Sequence, residues 1–367
     1  MKITTKKERF LNPLYLESGR IIEPYEITYE TYGEMNEEKS NIIVVTHALT
    51  GSFHVAGRYA DEPKAGWWDK LIGPNKAIDT NKYFVICSSV IGSCTGSTGP
   101  ISPMYPSHEP YRFKFPVVTI KDMVKAQRIL FDKLGINKVK AIIGGSMGGM
   151  QALQFAVSFP NFAQIVIPMA CTWATKDWAI AFNKVAMESI IRDSNFKGGY
   201  YDIEEYKKSD AHGFAVGRMA GFISYLSPYS MDKKFSRGYV NNDGLYELFG
   251  KYQIERYLDY NGYNFPKWFD PLSYLYLMKA INIFDVSRGY DSLSEAIKEI
   301  KAKVYLISFD KDFLFFADEM RELHECFKSI NKECFYENIK SDYGHDAFLV
   351  EVEKFDNLIV DILEGKV

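Results

Sequence analysis

The chain has 367 residues, 47% of them hydrophobic and 25% charged, with a formal net charge of −3. That balance belongs to a globular protein with a sizeable buried core, and without a long basic block it excludes nucleic acid as a partner. The opening Met1-Lys2-Ile3-Thr4-Thr5-Lys6-Lys7-Glu8 lacks the apolar stretch of a signal peptide and no long apolar span follows, so a cytoplasmic location with no membrane partner is expected.

Residues 1–40 are β-rich, and the alternation over 25–32 predicts antiparallel strands at a sheet edge. Residues 41–46 read as a buried strand that ends in His47-Ala48-Leu49-Thr50-Gly51. A loop leaving such a strand at the carboxyl edge of a sheet is placed to offer a backbone amide to a reacting oxyanion. His47 itself reads as a loop histidine without a chemical role. A further strand, 83–87, runs into the small-residue loop 92–100, whose spacing is not that of a Walker phosphate cradle. Residues 119–134 have helical periodicity with Thr119 as the cap.

The most informative stretch comes next. An apolar run, 139–143, is followed by Gly144-Gly145-Ser146-Met147-Gly148-Gly149 and then by helical spacing that Pro160 ends. Strand, tight glycine turn and helix with a serine at the tip form a nucleophile elbow. The glycines answer a sharp, strained turn, and the first amide of the helix, that of Met147, faces a developing oxyanion. Ser146 is therefore the expected nucleophile.

Residues 164–169 read as the next core strand, after which strand and helix stop alternating. From 173 to 290 the pattern is helical and rich in aromatics, with helices predicted over 178–191, 210–226, 245–260 and 270–283, the last opened by Asp270-Pro271. Strands return at 303–308 and 333–338, with a helix over 317–331 between them. The fold class is α/β: a mostly parallel sheet flanked by helices, formed by 1–172 and 293–367, with an all-helical lid insertion over 173–292.

A serine hydroxyl needs a base, and the base needs a third group to orient it. After an elbow of this kind the acid comes next in the chain and the histidine last. His212 falls in the helical insert and His324 inside a helix, whereas His345 follows the last strand beside Gly344, so His345 is the expected base. Asp310 and Asp312 both sit just beyond the 303–308 strand, and position scarcely separates them; Asp318 reads as a charge at a helix amino terminus. The five cysteines, Cys87, Cys94, Cys171, Cys326 and Cys334, form no C-x-x-C pair and read as reduced, structural thiols. The six histidines show no ligand spacing, so no metal is expected.

With these pieces assembled, the sequence resembles the homoserine O-acyltransferases of the α/β-hydrolase superfamily, chiefly the acetyl-transferring members, over nearly its whole length. The residues that carry the likeness are 47–51, Gly66-Trp67-Trp68-Asp69, Ile72-Gly73-Pro74, 96–100, 144–151 and Gly344-His345-Asp346-Ala347-Phe348-Leu349. The resemblance implies Asp312 rather than Asp310 as the acid, and Arg218, Tyr225 and Asp346 as the residues that bind the amino-acid substrate. Arg218 and Tyr225 are seven apart and share one helix face. An arginine fork suits a carboxylate, and an aspartate suits an ammonium. The family usually carries asparagine where this chain has Ser89, and the segment Trp173-Ala174-Thr175-Lys176-Asp177-Trp178 is also atypical.

The activity implied is homoserine O-acetyltransfer in methionine biosynthesis: acyl-CoA loads Ser146, the amides of Leu49 and Met147 hold the oxyanion, and homoserine takes the acyl group. Acyl-CoA is then a co-substrate, and no cofactor is expected. Homoserine or serine O-succinyltransfer is the alternative, followed by an esterase or thioesterase using the same three residues. A homodimer through the lid helices is expected, as in the family.

Overall fold

The computed structural model of the protein describes residues 1–59, 64–241 and 245–367. Its strands are β1 (Ile3–Phe10), β2 (Leu14–Tyr15), β3 (Ile21–Ile22), β4 (Tyr25–Tyr32), β5 (Ile42–Thr46), β6 (Ile72–Gly73), β7 (Ile78–Asp79), β8 (Phe84–Ser88), β9 (Val139–Gly145), β10 (Ala163–Met169), β11 (Lys303–Phe309) and β12 (Phe335–Ile339). Eight of them build one sheet in the order β1-β4-β8-β5-β9-β10-β11-β12. The pairs β1–β4 and β4–β8 are antiparallel, and every later pair is parallel. The expected antiparallel edge is thus made by β1 and β4.

The parallel strands read as continuous apolar runs because both faces of the sheet are covered. In β5, Ile42 and Val44 enter one buried cluster while Ile43 and Val45 enter the other. Helix α1 (Ile120–Lys133) and helix α2 (Met147–Ser158) cover the first face, and their Met123, Leu130, Leu153 and Phe155 join its cluster. Thr119 caps α1 in a reciprocal box with Asp122: the Asp122 amide donates to the threonine hydroxyl at 3.1 Å and the Thr119 amide donates to the carboxylate at 2.9 Å.

Between β10 and β11 come α3 (Asp177–Ile191), α4 (Ile203–Lys208), α5 (His212–Tyr225), α6 (Pro228–Phe235), α7 (Gln253–Asn264), α8 (Pro271–Asn282) and α9 (Leu293–Lys298). The buried residues Ala186, Phe214 and Leu277 of these helices continue the first-face core rather than forming a separate one. The helix expected over 245–260 is displaced. The chain is irregular through Gly250, and α7 begins after Tyr252, whose amide donates to Glu255 at 2.7 Å. The reason is local: Gly250 interrupts the periodic run, and Tyr239 bridges Tyr252 as an isolated β pair, so helical geometry starts only beyond it. The start and end of that predicted element both move, with residues 242–244 outside the described part of the chain.

After β11 come α10 (Ala317–Ser329), then β12, α11 (Ala347–Val350) and α12 (Asp356–Glu364). Ile359, Ile362 and Leu363 of α12 close the second face of the sheet. The site described next lies where the carboxyl ends of β5, β9 and β11 meet the helices that follow β10.

Candidate active site

Ser146 stands between β9 and α2 with φ 59° and ψ −126°, a left-handed conformation that an L-residue adopts only when its surroundings enforce it. Its amide donates to the Met169 carbonyl at 2.9 Å, which ties the tip of the turn to β10. The flanking glycines permit close approach: a Cβ on Gly148 would stand 2.1 Å from the Thr46 carbonyl oxygen, and one on Gly145 would stand 2.3 Å from the Phe348 ring. With no side chains there, α2 can start directly against β5. Met147, as the first residue of α2, has no intrahelical acceptor for its amide.

His345 lies between two partners. Its Nε2 is 2.9 Å from the Ser146 hydroxyl and its Nδ1 is 2.7 Å from Asp312 Oδ2. The other oxygen of Asp312 accepts the amides of Leu314 at 2.8 Å and Phe315 at 2.9 Å, so the carboxylate cannot swing away. Because the carboxylate only accepts, Nδ1 carries the proton and Nε2 presents its lone pair to the serine. Burial pushes the His345 imidazole down, but the charge and hydrogen bond of Asp312, helped by Asp346, outweigh it, and the net shift is upward. Asp310 is engaged elsewhere: it accepts the Ser341 amide at 2.7 Å and pins the turn after β12. Asp318 pairs with Arg321 on the surface of α10.

Arg218 and Tyr225, both on α5, line the same cavity as Ser146, His345 and Asp346, together with Leu49, Tyr274 and Phe315. The Arg218 guanidinium lies over Phe222 at 4.7 Å and Phe265 at 4.4 Å, and its buried Nε–H meets no acceptor. A cation left with an open donor beside a cavity is prepared for an anionic ligand. Burial raises Asp346 above the ordinary carboxylate range, against the opposing pull of His345 and Arg218. Burial also raises the Tyr225 phenol well above its usual value. His212 and His324 lie outside this cavity, on α5's exposed start and on α10.

Several residues that hold this arrangement were given no role in it by sequence reasoning. Gln151 is fully buried; its amide group donates to the carbonyls of His47 at 3.0 Å and Met147 at 3.2 Å, and its oxygen accepts from Gln127 at 2.8 Å. Thr46 donates to the Gly148 carbonyl at 2.8 Å. A buried glutamine one helical turn after the elbow was the available signal. The histidine loop is tied to the helical segment: the Asp346 amide donates to the Tyr225 carbonyl at 3.1 Å, and the Ser227 amide donates to that of Tyr343 at 2.9 Å. Ser89 hydrogen-bonds Thr95 at 2.6 Å and accepts Ser97 through its carbonyl at 2.7 Å, so it organises the small-residue loop. The Trp178 indole donates to the Phe313 carbonyl at 2.6 Å, beside the acid loop. All five cysteines are free, and no cluster of potential metal ligands occurs among the described residues.

Comparison with known proteins sets this geometry in a family. Residues 41–352 match the model of the alpha/beta hydrolase fold. The homoserine O-acetyltransferase of Sulfurimonas autotrophica is 64% identical over 366 residues, covering 100% of both chains. The chain belongs to the homoserine O-acetyltransferase family. Among solved structures, the homoserine O-acetyltransferase of Bacillus anthracis superposes with a TM-score of 0.91 at 28% identity, covering 99% of this chain and 98% of that one. Esterase E22 superposes almost as well, with a TM-score of 0.89 at 29% identity, covering 99% of this chain and 100% of that one. The family's fold is therefore shared with enzymes named for ester hydrolysis, and the acceptor has to be argued from the cavity.

Proposed function

We propose that this protein transfers the acetyl group of acetyl-CoA to the hydroxyl of homoserine, through an acyl-Ser146 intermediate, in methionine biosynthesis. The observation that carries this reading is one cavity that holds both a serine–imidazole–carboxylate relay and two further groups of opposite sign, Arg218 and Asp346. A hydrolase needs only the relay. A zwitterionic acceptor needs the other two.

In the first half-reaction His345 takes the Ser146 proton as the oxygen attacks the thioester carbonyl. The amides of Leu49 and Met147 receive the oxyanion, each contributing roughly 3 kcal/mol to the transition state. The imidazolium gives that proton to the departing sulfur, so CoA leaves as the thiol and His345 is again a neutral base. In the second, His345 takes the homoserine hydroxyl proton as that oxygen attacks the acyl-serine, and returns it to Ser146 when the ester product departs. Asp312 keeps the imidazole in its working tautomer and stabilises its cation. Arg218 engages the acceptor's carboxylate, Tyr225 closes the pocket wall, and Asp346 receives the ammonium. No cofactor is required beyond the acyl-CoA co-substrate.

The cavity measures about 90 Å³, well below the clefts that enclose drug-sized ligands. That size suits small groups at the serine, with the body of CoA outside. Residues 173–292 act as the lid that excludes water from the loaded serine, over a core of 1–172 and 293–367. No helix among the described residues is long and apolar enough to cross a membrane; the proposed location is cytoplasmic, and the proposed assembly is a homodimer through the lid helices.

The esterase reading is favoured by one observation, the close likeness to esterase E22. The test is a matrix of acetyl-, propionyl- and succinyl-CoA against homoserine, serine and water, with CoA release as readout. Acetyl-CoA with homoserine is expected to turn over fastest, and acetyl-CoA alone to release about one equivalent. Arg218→Lys is expected to raise the homoserine KM by roughly 10- to 100-fold, since a point charge replaces a fork. Fast multiple turnover with water would overturn the transferase assignment.

A further inference from the structure

His47 sits directly behind the loop that supplies the Leu49 amide, and its ring is fully buried. Both ring nitrogens are engaged. Nε2 lies 3.0 Å from the Val90 amide, which can only donate, so Nε2 is the acceptor. Nδ1 therefore bears the proton and donates to the Ala48 carbonyl at 2.8 Å. That carbonyl belongs to the same peptide unit as the Leu49 N–H. A trans peptide is planar, and its C=O and N–H point in opposite directions. Pulling the Ala48 oxygen towards the buried ring therefore turns the Leu49 hydrogen the other way, towards the cavity that Leu49 lines with Ser146. Among the described residues no acceptor in the protein meets the Leu49 amide. The carbonyl of His47 itself is held by Gln151 at 3.0 Å, so the peptide on the other side of the residue is fixed as well.

We infer that His47 is a positioning residue for acyl transfer, which aims the Leu49 amide at the oxyanion by clamping the Ala48–Leu49 peptide plane from behind. Two contacts and one constraint make the clamp directional, beside the Gly51 amide that donates to the same Ala48 carbonyl at 2.9 Å. Val90, from the loop after β8, selects the tautomer; the tautomer selects the Ala48 carbonyl as partner; and planarity converts that bond into the orientation of the donor. Burial pushes the imidazole down to about 4, against the opposing Ala48 bond, so the ring stays neutral and keeps its acceptor at Nε2 near neutral pH. The ring touches no reacting atom and acts only through the peptide it holds. This inference rests on Ser146 being the acylated residue, but not on homoserine being the acceptor.

Two substitutions separate aiming from mere packing. In His47→Asn the side-chain amide sits where Nδ1 was and can still donate to the Ala48 carbonyl. In His47→Gln it sits where Nε2 was and can meet Val90 but not Ala48. The measurement is the pre-steady-state burst with p-nitrophenyl acetate, which reports Ser146 acylation whatever the acceptor, alongside Tm. His47→Gln is expected to slow the burst roughly 10- to 100-fold, less than outright loss of an oxyanion donor, while His47→Asn stays within a few-fold of the unaltered protein at a similar or lower Tm. Equal burst rates for all three proteins would overturn the inference, as would losses in both variants that simply follow Tm. A normal burst in the unaltered protein with no acetylation of homoserine would sink the transferase reading and leave the role of His47 standing.

Discussion

At the scale of single residues, the reactivity proposed for Ser146 depends on how Asp312 divides its two oxygens. One is spent on the Leu314 and Phe315 amides, the other on His345 Nδ1. Replacing it with asparagine keeps the shape but lets an NH₂ group face the ring, which favours the wrong tautomer, and kcat is expected to fall roughly 10⁴-fold. The pH profile carries a second signature. The carboxylate raises His345 above its ordinary 6.5, so the base form is lost as pH falls through that raised value. The acid limb of kcat/KM is expected on the higher-pH side of the ordinary histidine value. In Asp312→Asn burial is opposed only by the charge of Asp346, and the limb moves to lower pH; a limb that stays in place would show that another group titrates there.

At the scale of elements, the histidine loop and the start of α6 form one unit. Gly344 has φ 108°, and a Cβ there would stand 2.5 Å from the Ser227 amide nitrogen and 2.8 Å from the Tyr225 carbonyl oxygen. Ser227 in turn caps α6, accepting the Ser230 amide at 3.0 Å, and its hydroxyl donates to the Asp342 carbonyl. The neighbours are backbone, so they cannot rotate out of the way. Gly344→Ala is expected to lower stability by about 1–3 kcal/mol and to displace His345 from Ser146. Its kcat should fall by at least roughly 100-fold, as is usual when a catalytic group moves by about 1 Å. An unchanged Tm with full activity would show that the loop can yield.

At the scale of the whole molecule, the helices between β10 and β11 leave apolar side chains outside. Tyr246, Leu248 and Phe249 are 96%, 89% and 85% exposed, and Ile223 and Tyr229 are also open to solvent. Faces of this kind mark association surfaces rather than ordinary solvent-facing positions. Sedimentation equilibrium is expected to give a dimer, and the pair Leu248→Asp with Phe249→Asp to give monomers whose CoA-release rate shows whether the cavity depends on the partner. A monomeric unaltered protein would remove the dimer proposal.

What was legible in the sequence follows from how local the cause is. The elbow glycines, the buried runs of β5 and β9, the Thr119 cap and the Asp270-Pro271 helix start each act within a few residues, so their pattern alone locates them. The same holds for His345 beside Gly344, because only one histidine follows the last strand. The helix over 245–260 starts later than expected because the apolar residues at its predicted start, Leu245, Tyr246, Leu248 and Phe249, are exposed, and a pattern that normally reports burial then reports nothing about register. The choice between Asp310 and Asp312 came only from likeness to the family, since two residues apart on one loop they differ in what they face. Spacing along the chain cannot express that difference. The tertiary structure separates the two, turning one carboxylate towards the Ser341 amide and the other towards the imidazole. It likewise turned His47 from an idle loop residue into a buried ring with both nitrogens engaged, because hydrogen-bond partners separated by 43 positions meet only when the sheet has formed.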